Sequence, residues 1–156
     1  MEQQHPLAPQ ADQLIKSYAF RSSLAGFIPI PLLDTLGLIG VQRLMLFRLS
    51  GLYGIPFSKN LAKAWLTTLM SGVASTAATP MLGSTLLKFI PGIGSLAGST
   101  GMAALGSAST YAVGKVFQQH FENGGTLENF NPVAAKDTFA VELEHGKEIS
   151  RPEPHQ

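Results

Sequence analysis

Charged residues are missing from two adjacent stretches in the middle of this chain. No Asp, Glu, Lys or Arg lies between Lys63 and Lys88, or between Lys88 and Lys115. The two stretches, Ala64–Leu87 and Phe89–Gly114, contain 24 and 26 residues, and each is long enough as a helix to cross a bilayer core of ~30 Å. Because charge is costly in lipid, the pattern predicts an apolar helical hairpin over about residues 64–114, in or on a membrane.

Small residues dominate the second stretch. Gly94, Gly98 and Gly101 recur at steps of three and four residues, and alanines continue the same pattern at Ala97, Ala104 and Ala108. On a helix this spacing forms a smooth ridge against which another helix can pack closely. We therefore predict that Gly94, Gly98 and Gly101 are helix-packing residues, within one chain or in a homo-oligomer.

The same small residues leave three interpretations open. Gly, Ala, Ser and Thr make up 17 of the 26 residues from Phe89 to Gly114, so this segment is only weakly hydrophobic. A transmembrane hairpin is favoured by length, but a helical domain held at the membrane surface and a wholly soluble helical core remain alternatives. If the hairpin spans the bilayer, the flanking lysines favour two cytoplasmic termini.

A further apolar helix is predicted before the hairpin. Pro29 and Pro31 exclude a helix interior but suit an extended approach and a helix start near Pro31, which places Asp34 in the favourable first turn. The apolar run continues to Leu52, yet Arg43 interrupts it too early for a membrane span. This helix is better interpreted as buried core or as lying at an interface.

The ends of the chain are polar. Residues 1–13 and 149–156 are predicted to be disordered tails, and residues 14–148 a single helical domain. Within that domain a polar module over about 116–148 follows the hairpin and ends in a short helix capped by Asn131. The fold class is all-α: a membrane-associated helical domain with a Gly/Ala-rich apolar hairpin and a short polar C-terminal helix.

Composition narrows the function classes. Residues 1–63 carry six basic and three acidic groups, a net charge of +3. Residues 116–156 carry three basic and seven acidic groups, a net charge of −4. The basic residues are dispersed, which argues against a nucleic-acid partner. The chain has no cysteine and therefore no thiolate metal site, and its polar start lacks the order of a secretory signal.

No constellation of residues predicts a reaction, so we expect no enzyme, cofactor or metal site. His120 and Glu122 are two residues apart, which points them away from each other on a helix, and both are expected to be solvated or capping groups. Asp34 is the one charge with a functional alternative, because a carboxylate at membrane depth could pair with Arg43 or Arg48 of a neighbouring chain. The favourable position of a carboxylate in the first turn of a helix already explains Asp34 without a functional role.

Several motifs carry a resemblance to a known family. In order they are Phe27-Ile-Pro-Ile-Pro-Leu-Leu-Asp34, Leu52-Tyr-Gly54, Ile90-Pro-Gly-Ile-Gly94, Tyr111-Ala-Val-Gly-Lys-Val-Phe117, His120-Phe-Glu122 and Gly124-Gly-Thr126. Together, over about residues 14–148, they resemble the YcjF-type domain of unknown function of bacterial membrane proteins, often joined to or encoded beside a Ras-like GTPase domain. The resemblance implies a helical domain at the bacterial inner membrane and a GTPase partner. This chain has no phosphate-binding Gly-x-x-x-x-Gly-Lys-Ser/Thr loop of its own.

The function expected from these features is a non-enzymatic interaction or scaffold module that touches membrane lipid and works with a cytoplasmic GTPase. The alternative is an oligomeric pore or transport module, in which serines such as Ser99 and Ser107 would line a path.

Overall fold

The described part of the chain is a bundle of five helices. The computed structural model describes residues 5–25, 31–71 and 94–150, and the side chains of residues 5–23, 37–71 and 104–150. Over those ranges every regular element is helical, which confirms the all-α prediction: α1 (Ala8–Ala25), α2 (Pro31–Tyr53), α3 (described over residues 59–71), α4 (Gly94–Glu122) and α5 (Lys136–Ile149).

The longest of these helices, α4, lies at the centre. α1 and α5 both run antiparallel to it: Ser22 of α1 reaches Thr110, and Glu142 of α5 reaches Gln119. α2 runs parallel to α4 because Tyr53, at its end, bonds to Glu122. The five helices therefore share one core, whose largest fully buried apolar side chains are Phe117, Ile15, Met45, Leu46, Leu49, Leu66, Leu127 and Val113.

Glycines end two helices in the way the sequence predicts. Gly54 and Gly124 have φ of +69° and +82°, a left-handed conformation that glycine adopts without strain. After each, the chain folds back on the helix: the amides of Ile55 and Gly125 donate to carbonyls five residues earlier, both at 2.8 Å. Ser58 caps α3, with its Oγ accepting from the amide of Leu61 at 3.4 Å.

Two predicted boundaries need correction. α1 begins at Ala8, so part of the predicted disordered tail 1–13 is helical, because Pro9 is tolerated in a first turn and Ala11 is fully buried. At the other end, Asn131 caps a turn through its bonds from the amides of Val133 and Ala134, and α5 starts only at Lys136. The remaining domain limits stay predictions.

The predicted membrane hairpin is described only in part. Residues 72–93, which include the turn and most of the first stretch, lie outside the described residues. Residues 94–114 of the second stretch are helical, and from Ala104 onward their side chains pack largely inside the bundle. Among the described residues, no helix combines the length and the apolar content that a membrane crossing requires.

The close approach of α1 to α4 depends on a glycine. A Cβ built on Gly114 would lie 2.7 Å from two carbons of the Ile15 side chain and 3.2 Å from a third, and Ile15 is fully buried. Gly106, two turns earlier in the same helix, is different, since a Cβ there would meet Ser22 O at 3.5 Å and Leu38 Cδ1 at 3.8 Å, which are ordinary contacts. Of these two glycines, Gly114 is the one whose missing side chain the packing requires.

Gly114→Ala should therefore destabilise the protein, by about 1–3 kcal/mol, because a buried β-branched side chain must move or α1 must shift. Gly106→Ala is the matched control and should leave stability unchanged or raise it by up to about 1 kcal/mol through helix propensity. Urea unfolding followed by circular dichroism measures both. Equal stability of the two variants would contradict the contact.

Candidate functional site

The residues singled out by the sequence occupy two helix starts. Pro31 and Asp34 lie in the first turn of α2, as predicted, and Gly94 begins α4, with Gly98 and Gly101 within its first three turns. Pro29 lies outside the described residues, as do the side-chain surroundings of the other five. Their role in helix packing therefore stays a prediction.

The ridge of small residues does contact another helix further along α4. At Ala108, which is fully buried, α5 crosses with Gly146, where a Cβ would lie 2.7 Å from the carbonyl oxygen and 2.8 Å from the Cα of Ala108. Ser150 reinforces the crossing by donating to Ser107 Oγ at 3.1 Å. The sequence analysis missed Gly146 as a packing residue because a glycine near a helix end also suits a helix stop.

Gly146→Ala should detach α5, since its Cβ meets main-chain atoms of α4 that cannot rotate away. We expect a loss of about 1–3 kcal/mol, the range typical of overpacking. Limited proteolysis should then cut first within residues 123–150. Val141→Ala, at an exposed position of the same helix, is the control and should leave the cleavage pattern unchanged; an unchanged pattern in both variants would refute the crossing.

A chain of polar contacts joins α1, α2 and α4 at the end of the bundle where α4 stops. Lys115 Nζ donates to Asp12 Oδ1 at 2.7 Å and to Gln118 Oε1 at 3.0 Å. Gln118 is 3% exposed, and its Nε2 donates to Glu122 Oε1 at 3.0 Å. The Tyr53 hydroxyl donates to the same oxygen at 2.6 Å. Each of these side chains is hydrogen-bonded to another, so the cluster is suited to holding α1, α2 and α4 together.

This arrangement suppresses ionisation of Tyr53. Burial raises the pKa of its phenol, and the hydrogen bond to Glu122 and the charge of that carboxylate raise the pKa further. Burial likewise raises the pKa of Tyr111. Neither tyrosine is therefore placed to act as a proton donor or acceptor near neutral pH.

The raised pKa of Tyr53 predicts alkaline instability. Above the unfolded-state pKa of about 10, the unfolded chain loses a proton that the folded chain keeps, so stability falls as the pH rises toward the higher folded-state pKa. Tyr53→Phe removes this source of pH dependence at the cost of one hydrogen bond. Urea midpoints measured from neutral to alkaline pH should fall less steeply for the variant. A parallel decline in both proteins would exclude Tyr53 as the cause.

The segment after α4 is held against the bundle by two ring nitrogens. Trp65 Nε1 of α3 donates to Leu127 O at 2.9 Å, and the indole packs on Phe130. His120 Nε2 lies 2.8 Å from Thr126 O and 3.0 Å from Asn129 Oδ1, and since both are acceptors this nitrogen carries the proton.

These contacts involve two residues that the sequence singled out. His120 and Glu122, expected to be solvated or capping groups, are half-buried and hydrogen-bonded, and Trp65 also makes its hydrogen bond within the protein. Gly125 belongs to the same arrangement, because the His120 ring occupies the space that a Cβ would need there. The partners of Trp65 and Glu122, which are Leu127 and Tyr53, are 62 and 69 residues distant in sequence and become neighbours only in the folded bundle.

A second polar cluster lies inside the bundle. Thr110 Oγ1 bonds to Ser22 Oγ at 2.8 Å and accepts from Gln42 Nε2 at 3.3 Å, which joins α1, α2 and α4. Gln42 is fully buried, and its Oε1 has no hydrogen-bond partner among the described residues. Ser107, expected to line a path in the pore alternative, is only 8% exposed and bonds to Ser150 within the chain.

The described residues bring no metal-binding group together. Over the described ranges, no three His, Asp or Glu side chains are close enough to hold an ion. The acidic residues that do meet partners serve helix contacts: Glu142 accepts from Gln119 Nε2 at 3.0 Å and lies 3.4 Å from His145 Nδ1.

The remaining surface of α5 is acidic with apolar patches. Its exposed side chains, here called the α5 outer face, are Lys136, Asp137, Ala140, Val141, Glu144, His145, Glu148 and Ile149. Val141 is 55% and Ile149 58% exposed. Exposed apolar side chains rimmed by polar residues are found on surfaces that bind other proteins.

Comparison with known proteins defines the family. Residues 2–141 match the domain of unknown function DUF697, and the chain belongs to this family. The particular relative that stands out is magnetosome membrane protein 22 of Magnetospirillum gryphiswaldense, which is 34% identical over 140 residues, covering 90% of this chain and 72% of the relative. No solved structure matches.

Proposed function

We propose that this chain is a non-enzymatic helical module that associates with a membrane and holds a protein partner there. The observation that carries the proposal is its 34% identity, over 90% of its length, with a magnetosome membrane protein. The structure supports a scaffolding role because the polar groups that converge, such as the Lys115–Glu122 chain, tie helices together.

Cell fractionation tests the membrane association. The tagged full chain should sediment with membranes, and a carbonate wash then distinguishes attachment at the surface, which is released, from an inserted hairpin, which is retained. Recovery of the chain in the soluble fraction before any wash would overturn the proposal.

The orientation we propose is the inner membrane with both termini on the cytoplasmic side. The chain has no cysteine, so single cysteines placed near each end give an unambiguous readout. Both should resist a membrane-impermeant thiol reagent until the cells are opened. Labelling of either one in cells with an intact inner membrane would contradict this orientation.

The partner side of the module, in our proposal, is the α5 outer face. Its carboxylates and exposed Val141 and Ile149 are the features that support a protein contact. A GTPase is the partner class that the sequence resemblance suggests. Protein complexes isolated in mild detergent should lose a nucleotide-hydrolysing component in Val141→Arg/Ile149→Arg and keep it in the control Phe20→Arg, at an α1 position 67% exposed.

The homo-oligomer expected from the small-residue ridge is a separate proposal. Replacement of Gly98 and Gly101 by leucine should abolish cross-linked oligomers if the ridge joins two chains, because bulky side chains keep helices apart. Gly106→Leu would not be a suitable control, since Gly106 is buried within the chain. Ala140→Leu, at an exposed position of α5 outside the ridge, is the control. Unchanged cross-linking would remove the ridge from the interface.

A further inference from the structure

The outward side of α2 is apolar where a water-facing helix would be polar. The exposed residues of this helix between Gly37 and Gly51 form a single stripe, here called the α2 outer face, which consists of Gly37, Gly40, Leu44, Phe47, Arg48 and Gly51. Leu44 is 49% and Phe47 51% exposed, and a Cβ at any of the three glycines would meet nothing within 4 Å. Five of the six residues are apolar or lack a side chain.

The opposite side of the same helix already fills the core. Met45, Leu46 and Leu49 are fully buried, so α2 is apolar on both sides. Helices of this kind are buried on both sides in larger assemblies or in membranes. The outer face extends beyond α2, since Phe47 packs edge-on against Phe57 at 5.3 Å in the loop leading to α3.

The charged side chains of residues 37–71, which include the described side chains of α2 and α3, are all cationic. From residue 35 to residue 121 the chain contains no Asp or Glu, while it contains six Lys and Arg. Four of these, Arg43, Arg48, Lys59 and Lys63, lie on α2 and α3, and no carboxylate among the described residues forms an ion pair with any of them. A helix with an apolar face and cationic side chains can place the apolar side chains at the acyl region of a bilayer, while the cations contact anionic lipid headgroups.

We infer that the α2 outer face is the membrane-binding surface and that its ligand is an anionic bilayer, with Leu44 and Phe47 inserted at the headgroup boundary and Arg48, Lys59 and Lys63 on lipid phosphates. This inference rests on the proposed membrane association and names the surface and the lipid class. The α5 outer face, with its carboxylates, is excluded from the contact by its charge.

Vesicle flotation with the purified full chain tests the inference. Binding to vesicles of phosphatidylglycerol and phosphatidylcholine should exceed binding to phosphatidylcholine alone and should weaken with added salt. Leu44→Ser/Phe47→Ser should weaken binding at least about tenfold, because both apolar contacts with lipid are lost. The matched control, Val141→Ser/Ile149→Ser, changes side chains of equal exposure on α5 and should bind like the wild type.

Two further measurements do not depend on the serine variants folding. Arg48→Gln and Lys63→Gln should each weaken binding to the anionic vesicles about fivefold and leave binding to neutral ones unchanged. A polarity-sensitive fluorophore on a single cysteine at position 47 should shift to the blue with anionic vesicles, and one at position 141 should not.

The outcomes separate this inference from the proposed function. If the chain binds anionic vesicles but the α2 variants and the position-47 fluorophore show no change, the surface is wrong and membrane association stands. If the pure chain ignores all vesicles yet sediments with cell membranes, a protein partner and not lipid holds it there, and the inference falls. If it does neither, both fall.

Discussion

The structure depends on how closely other helices can approach α4. Gly114 admits the Ile15 side chain of α1, and Gly146 of α5 rests directly on the main chain at Ala108. Close contacts of this kind gain dispersion energy over many atoms but tolerate no added methyl group. They explain why the second uncharged stretch is so rich in small residues: from Ala104 onward those residues are the surfaces on which α1 and α5 pack.

Uncharged sequence in this chain has two different causes, one in α4 and one in α2. The absence of charge in residues 104–114 reflects a central position in a bundle, where a charged side chain would lack a partner. In α2, by contrast, apolar residues lie on the outer side as well as the inner one. Central packing accounts for the first pattern and does not account for the second.

Local signals in the sequence predicted the helices well. The start of α2 at Pro31, and the left-handed glycines at the ends of α2 and α4, follow from backbone sterics that involve only near neighbours. The roles of Trp65 and Lys115 could not be predicted this way, because their partners are 62 and 103 residues distant in sequence. Gly146 was ambiguous for a different reason: a helix stop and a close helix crossing both require a residue without a Cβ.

The distribution of charge along the chain gives the folded molecule an electric polarity. Within the part of the chain that the structure describes, the cations of α2 and α3 form no ion pair, whereas the carboxylates of the α5 outer face lie on a helix that packs against α4. A body with separated charge experiences a torque in the field of a charged surface and turns before it touches. Such a module would arrive at an anionic surface already facing the right way, with its acidic helix turned toward the solvent.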